Sequence, residues 1–193
     1  MKTTIKKYLV VVLMFGALIS YANENNTPVN PIDAKRVKVE FNAVKKGNTL
    51  SIKEINGFVL YSSKIESAGI LSKTFDFSAL KSGSYVAELN KDYEVIKKYF
   101  KVLNGKVSFE EDEKFYKPSI RVEEDLVFIS KISFDKKPVQ IAVYYNNEVI
   151  FSETTKTNKD LLNRIYRVSK EIKGNYKVQV NSDGRTFTKH FKI

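Results

Sequence analysis

Two stretches of this chain are one stretch written twice. SALKSGSYVAELNKDYEVIKKYFKV runs from Ser78 to Val102, and SKEIKGNYKVQVNSDGRTFTKHFKI runs from Ser169 to Ile193. With no gap, Gly83 falls on Gly174, Tyr85 on Tyr176, Asn90 on Asn181, Asp92 on Asp183 and Phe100 on Phe191. A unit repeated over this length implies one small fold used twice. Its period decides the class. Val37, Val39 and Phe41 alternate with polar neighbours, as do Tyr85, Ala87 and Leu89, and then Val139, Ile141 and Val143. Alternation with a period of two is the mark of a half-buried strand, and no window sustains a helical period. A single helical turn within 66–72 is the one exception considered.

Turn chemistry punctuates the strands. Asn56-Gly57 and Asp183-Gly184 are hairpin signals, because a tight type I′ turn needs two residues at positive φ. Gly83, Gly174 and Asp92 mark further turns, and Asn146-Asn147 stands where the first copy has Asn56-Gly57. Strands with turns at this spacing predict an all-β protein of two tandem small Ig-like β-sandwich domains, produced by internal duplication.

The N-terminus predicts export. Lys2, Lys6 and Lys7 precede the apolar run YLVVVLMFGALIS, and Ser20-Tyr21-Ala22 supplies small residues for cleavage after Ala22. The expected division is a signal peptide at 1–22, a disordered leader at 23–36, sandwich lobe one at 37–109, an acidic linker at 110–118 and sandwich lobe two at 119–193. Such a chain has no membrane span once its signal is removed, and belongs in the periplasm, at the cell surface or outside the cell.

Composition narrows the chemistry. The chain has no cysteine, which removes disulfides, thiolate metal sites and cysteine nucleophiles. Its one histidine, His190, falls on an outward strand phase, so neither a Ser-His-acid triad nor a multi-histidine metal site is available. Two carboxylates suffice for glycoside hydrolysis, yet nothing in the spacing of Glu54, Asp76, Glu88, Asp92 and Asp183 pairs them. Asp92 and Asp183 recur at the same turn, the habit of residues that accept local backbone bonds. No catalytic residue, cofactor or metal is expected. The formal charge of +11 is spread as dispersed lysines, and lobe one has no arginine, which argues against nucleic acid. An anionic glycan or another envelope protein is the expected partner. Of adjacent Tyr144 and Tyr145 one must face outward, so Tyr144 beside Asn146 is the candidate ligand contact. Lys98 and Lys189 recur on an inward phase, where a bulge or an edge position would relieve the cost of burying an unpaired charge.

Three segments together resemble a known family. They are LSIKEINGFVLYS, FDFSALKSGSYVAEL with Ser78, Leu80, Gly83 and Tyr85, and the closing KKYFKV or KHFKI. They are similar to the C-terminal sorting domains of type IX secretion substrates in the Bacteroidetes, and the whole layout resembles short secreted flavobacterial proteins of no assigned activity. The resemblance implies a β-sandwich. It departs from the family pattern in lacking the Asn-Pro entry motif and in placing Glu171 where Leu80 sits. The expected role is a non-enzymatic exported binding or adhesion module of the cell envelope. The alternative is a type IX secretion substrate whose lobe two is a degenerate sorting domain.

Overall fold

The computed structural model describes residues 30–193. The expected signal peptide, 1–22, and the start of the leader, 23–29, lie outside the described residues. What is described is all-β and sandwich-like, with no α-helix among the described residues.

Lobe one contains β1 (Ile32–Asp33), β2 (Val37–Val44), β3 (Thr49–Glu54), β4 (Val59–Lys64), β5 (Gly69–Phe75), β6 (Gly83–Asn90), β7 (Glu94–Leu103) and β8 (Lys106–Tyr116). Six of them form one antiparallel sheet in the order β1-β8-β7-β6-β3-β4, and β2 pairs with β5 as the facing layer. Apolar side chains from alternate positions fill the space between: Val37, Val39 and Phe41 from β2 meet Leu50, Ile52, Ala87, Leu89 and Phe100. Phe100 is fully buried and stacks on Phe77 at 4.9 Å and on Tyr85 at 5.6 Å. Rings at these separations add roughly 0.5–1.5 kcal/mol per pair beyond the area they bury.

Lobe two contains β9 (Ser119–Glu123), β10 (Leu126–Ile132), β11 (Val139–Tyr145), β12 (Glu148–Thr155), β13 (Leu161–Arg167), β14 (Asn175–Ser182) and β15 (Arg185–Lys192). A three-stranded sheet, β13-β10-β9, faces a four-stranded one, β12-β11-β14-β15. This is an Ig-like arrangement. The order β12-β11-β14-β15 repeats β4-β3-β6-β7, and β10-β13 repeats β2-β5.

Two local devices recur at matching places. The Tyr85 hydroxyl donates to the Lys81 carbonyl at 2.8 Å, and the Tyr176 hydroxyl to the Ile172 carbonyl at 2.9 Å. Each is a tyrosine corner, in which the ring packs inward while the hydroxyl pins the chain four residues upstream. The β3–β4 ladder slips at Leu60 and the β11–β12 ladder at Ile150, so both edge strands are bulged at the same point.

Several expectations need correction. The leader does not extend to residue 36. Ile32 and Asp33 pair with Val107 and Lys106, the Ala34 amide donates to the Gly105 carbonyl, and Ala34 is fully buried. The acidic linker, 110–118, is largely a strand. β8 runs to Tyr116, with Glu110, Asp112 and Glu113 salt-bridged to Lys101, Lys98 and Lys97 of β7. Acids that repel one another along a chain are neutralised across a ladder by opposite charges. Only Lys117 and Pro118 separate β8 from β9. The possible helical turn within 66–72 is absent, since β5 begins at Gly69.

The Asn56-Gly57 turn also differs from expectation. Gly57 takes φ 96°, but Asn56 does not enter the left-handed region, and its side-chain oxygen accepts from the Phe58 amide instead. The adjoining bulge at Leu60 lengthens this connection beyond a two-residue turn. Asn146-Asn147 and Asp183-Gly184 do take positive φ at both positions. At Gly174 the requirement is space: a Cβ there would meet the Tyr145 ring at 2.6 Å.

The inward lysines find two different exits. Lys98 sits beside the slip in the β7–β8 ladder and reaches Asp112, its ammonium 5.5 Å from the Phe41 ring. Lys189 is exposed on the outer strand β15.

Candidate functional site

The outward face of lobe one's large sheet is not a plain solvent face. Val86, Val95 and Phe115 on it are buried, yet belong to neither lobe's central core. Lobe two reaches Phe115, with the Arg185 guanidinium 5.4 Å from its ring, and Phe134 packs edge-on against the neighbouring Tyr116 at 6.1 Å. Glu88 stands in the middle of this junction. Strand alternation puts it outward beside Val86, where it receives hydrogen bonds from Lys53 at 2.8 Å and from Arg185 of lobe two. Burial pushes the Glu88 carboxyl toward the neutral form, but the hydrogen bonds and charges of Lys53 and Arg185 outweigh that and hold its pKa below the usual carboxylate range.

A second ion pair lies within lobe two at the same end. Lys131 is 2% exposed and contacts Asp183 at 3.2 Å. By strand position Lys131 stands where lobe one has Phe41, so lobe two carries a buried charge at a core site of the first lobe. The Ser182 hydroxyl donates to the same Asp183 oxygen at 2.7 Å. The other Asp183 oxygen and the Ser133 hydroxyl are buried with no hydrogen-bond partner among the described residues. Glu113 completes the junction, taking hydrogen bonds from Tyr99 at 2.7 Å and Lys97 at 3.1 Å while facing Lys137 at 3.8 Å.

Between the lobes lies a cleft of about 320 Å³, lined by Lys53, Glu54, Glu88, Lys97, Asp183 and Arg185 among others. Three of the carboxylates left unpaired by sequence reasoning therefore meet at one place. Asp76 instead accepts from the Ser78 amide at its own turn, and Asp92 is exposed at its hairpin. Within the cleft Glu88, its carboxyl held below the usual range, bridges Lys53 of lobe one and Arg185 of lobe two.

Tyr144 lies on the outer face of lobe two's four-stranded sheet, directly across from Lys177, whose ammonium sits 3.8 Å from the ring centre. Tyr145 points the other way, onto Tyr176 at 5.1 Å, and donates to the Lys173 carbonyl. Asn146 exchanges backbone and side-chain bonds with Asn175, so its side chain serves the turn. His190 is exposed and opposite Lys177. The turn residues Asn56, Gly57 and Gly184 line the junction cleft together with Asp183, while Gly83 and Gly174 open β6 and the approach to β14. The junction residues escaped sequence reasoning because their partners are far apart in the chain. The one available signal was the exchange of Phe41 for Lys131 at matching positions.

Comparison with known proteins bears on lobe one. Residues 30–102 match the family of secretion system C-terminal sorting domains. This supports the type IX resemblance seen in LSIKEINGFVLYS and FDFSALKSGSYVAEL, and it falls on β1 to β7. No curated protein matches the chain. Among solved structures, a biofilm-associated protein BSP domain is 14% identical, with a TM-score of 0.27 over 84% of this chain. The chain spans 29% of that protein. Drosophila OTK extracellular domains 3–5 are 10% identical with a TM-score of 0.22, covering 82% of this chain and 91% of that one. The human OSCAR ligand-binding domain is 9% identical with a TM-score of 0.25, covering 84% and 92%.

Proposed function

We propose that this chain is cargo of type IX secretion, delivered to the cell surface or the medium, where it serves as a non-catalytic binding module of two sandwiches that arose by duplication. The observation that carries the reading is the sorting-domain match over residues 30–102, which spans β1 to β7 of lobe one. The terminal lobe shares that lobe's strand order, its tyrosine corner and its edge bulge. We read lobe two as a second, degenerate copy of the sorting-type sandwich, and lobe one as the better-preserved copy. A leader with a basic start and a short apolar run supplies passage across the inner membrane.

The binding role is supported by how the titratable groups are used. Glu88, Glu113 and Asp183 are committed to ion pairs that join or brace the lobes. The test is secretion of the full chain in a type IX-competent strain and in an isogenic strain lacking the outer-membrane translocon. The expected result is surface or medium localisation in the first and periplasmic retention in the second. Removal of residues 119–193 is expected to retain the protein in the periplasm of both. Equal distribution of the full chain in the two strains defeats the secretion reading.

A further inference from the structure

Lobe two's four-stranded sheet presents an outer face whose composition is unlike the rest of the molecule. Register sets its side chains in rows across all four strands. Thr154, Gln140, Asn181 and Thr186 form one row, and Ser152, Ala142, Gln179 and Thr188 form the next. Val149, Tyr144, Lys177 and His190 stand in the row beyond. In a chain with 28% charged residues, these rows carry one lysine and no carboxylate. Asparagine is a poor strand former, so local propensity does not account for Asn181 on the inner strand β14.

The amides are pre-arranged. Asn181 donates to the Gln140 side-chain oxygen at 3.1 Å, and accepts from Thr186 at 2.8 Å and from Gln179 at 3.3 Å. This chain of bonds fixes the orientation of each amide. It leaves the Gln140 amide nitrogen and the Gln179 amide oxygen without a partner among the described residues. One end of the face opens into a bowl of about 520 Å³ lined by Gln140, Thr154, Asn181, Thr186 and the charged pair Asp183 and Arg185 among others. That volume lies within the range of small-molecule sites.

We infer that this face is a binding site for a neutral, hydroxyl-rich oligosaccharide. Each sugar hydroxyl both donates and accepts, and amides and hydroxyls are the side chains that answer both at once. The nearby cations do not point to a polyanion. Arg185 is held by Glu88, and Lys177 lies over the Tyr144 ring. The inference rests on the binding-module reading and gives that module a ligand class. It is independent of the export route, so the secretion assay and the binding assay fail separately.

The test is affinity electrophoresis of the purified full chain through gels containing a neutral β-glucan, a xylan or a mannan, with alginate and heparin as anionic comparisons. Retention by at least one neutral polymer, unchanged by salt, is expected. The double variant Gln179→Ala with Asn181→Ala is expected to weaken it about tenfold, since two hydrogen-bonding side chains are lost. Ala142→Arg, which removes no bond but fills the centre of the face, is expected to abolish it. Thermal melts establish that the variants fold, and either variant alone suffices if the other does not. Retention only by alginate or heparin, no retention by any neutral polymer, or retention unaffected in a folded variant each overturns the site.

Discussion

At the scale of single residues, one carboxylate bridges the two lobes. Glu88 loses its hydration at the junction and recovers the cost through Lys53 and Arg185. Removing the charge leaves two cations facing a partner that no longer attracts them, a loss of about 2 kcal/mol for charged hydrogen bonds of this kind. Glu88→Gln is expected to destabilise the full chain by that amount at pH 7, read by urea denaturation. The pH dependence has a definite sign. The folded-state pKa of Glu88 is depressed, so its contribution is complete above the unfolded carboxylate value and disappears as pH falls through the folded one. Wild type and variant are therefore expected to converge in stability as the pH falls below that folded value. A gap that persists undiminished there refutes the assignment.

At the scale of elements, the lesson is which patterns survive translation from chain to sheet. Strands such as Val37–Val44 and Asn175–Ser182 were legible because one face is buried and alternation records it. The Asp183-Gly184 turn was legible because positive φ selects its residues. β8 was not, because Glu110 to Glu113 reads as a repelling run until Lys97, Lys98 and Lys101 stand beside it. Register supplies that neighbour, and a one-dimensional reading cannot. The junction cleft was hidden for the same reason: Glu88 and Arg185 lie 97 residues apart. Hydrogen exchange distinguishes strand from linker directly. The β8 amides between Glu113 and Tyr116 that face β7 are expected to exchange as slowly as those of Val95 to Lys98, and fast exchange throughout 110–116 returns the segment to a connector. Exposed pairs such as Lys101–Glu110 contribute little individually. High salt is thus expected to leave this protection nearly unchanged.

At the scale of the whole molecule, the question is why two small sandwiches remain joined by only Lys117 and Pro118. A cysteine-free lobe of roughly 70 residues is marginal alone, because a small fold buries too little of its chain. The junction adds side chains of lobe two to the sheet face that carries the buried Phe115. Arg185 and Phe134 come from lobe two, so the shared surface belongs to both halves. Fully burying a side chain such as Phe115 is worth about 1.5–3 kcal/mol, a sizeable fraction of the stability of one small lobe. The full chain is therefore expected to melt in a single transition. Residues 119–193 alone are expected to melt roughly 10 °C lower, the shift that about 2 kcal/mol produces in a domain of this size. Phe115→Ala in the full chain provides a check free of truncation. It is expected to speed exchange at the amides of Val178 and Val180, deep in lobe two's core, although residue 115 belongs to lobe one. Unchanged exchange there, or an isolated lobe two as stable as the pair, means that the lobes are neighbours with separate energetics and that the ion pairs across the cleft only set their orientation.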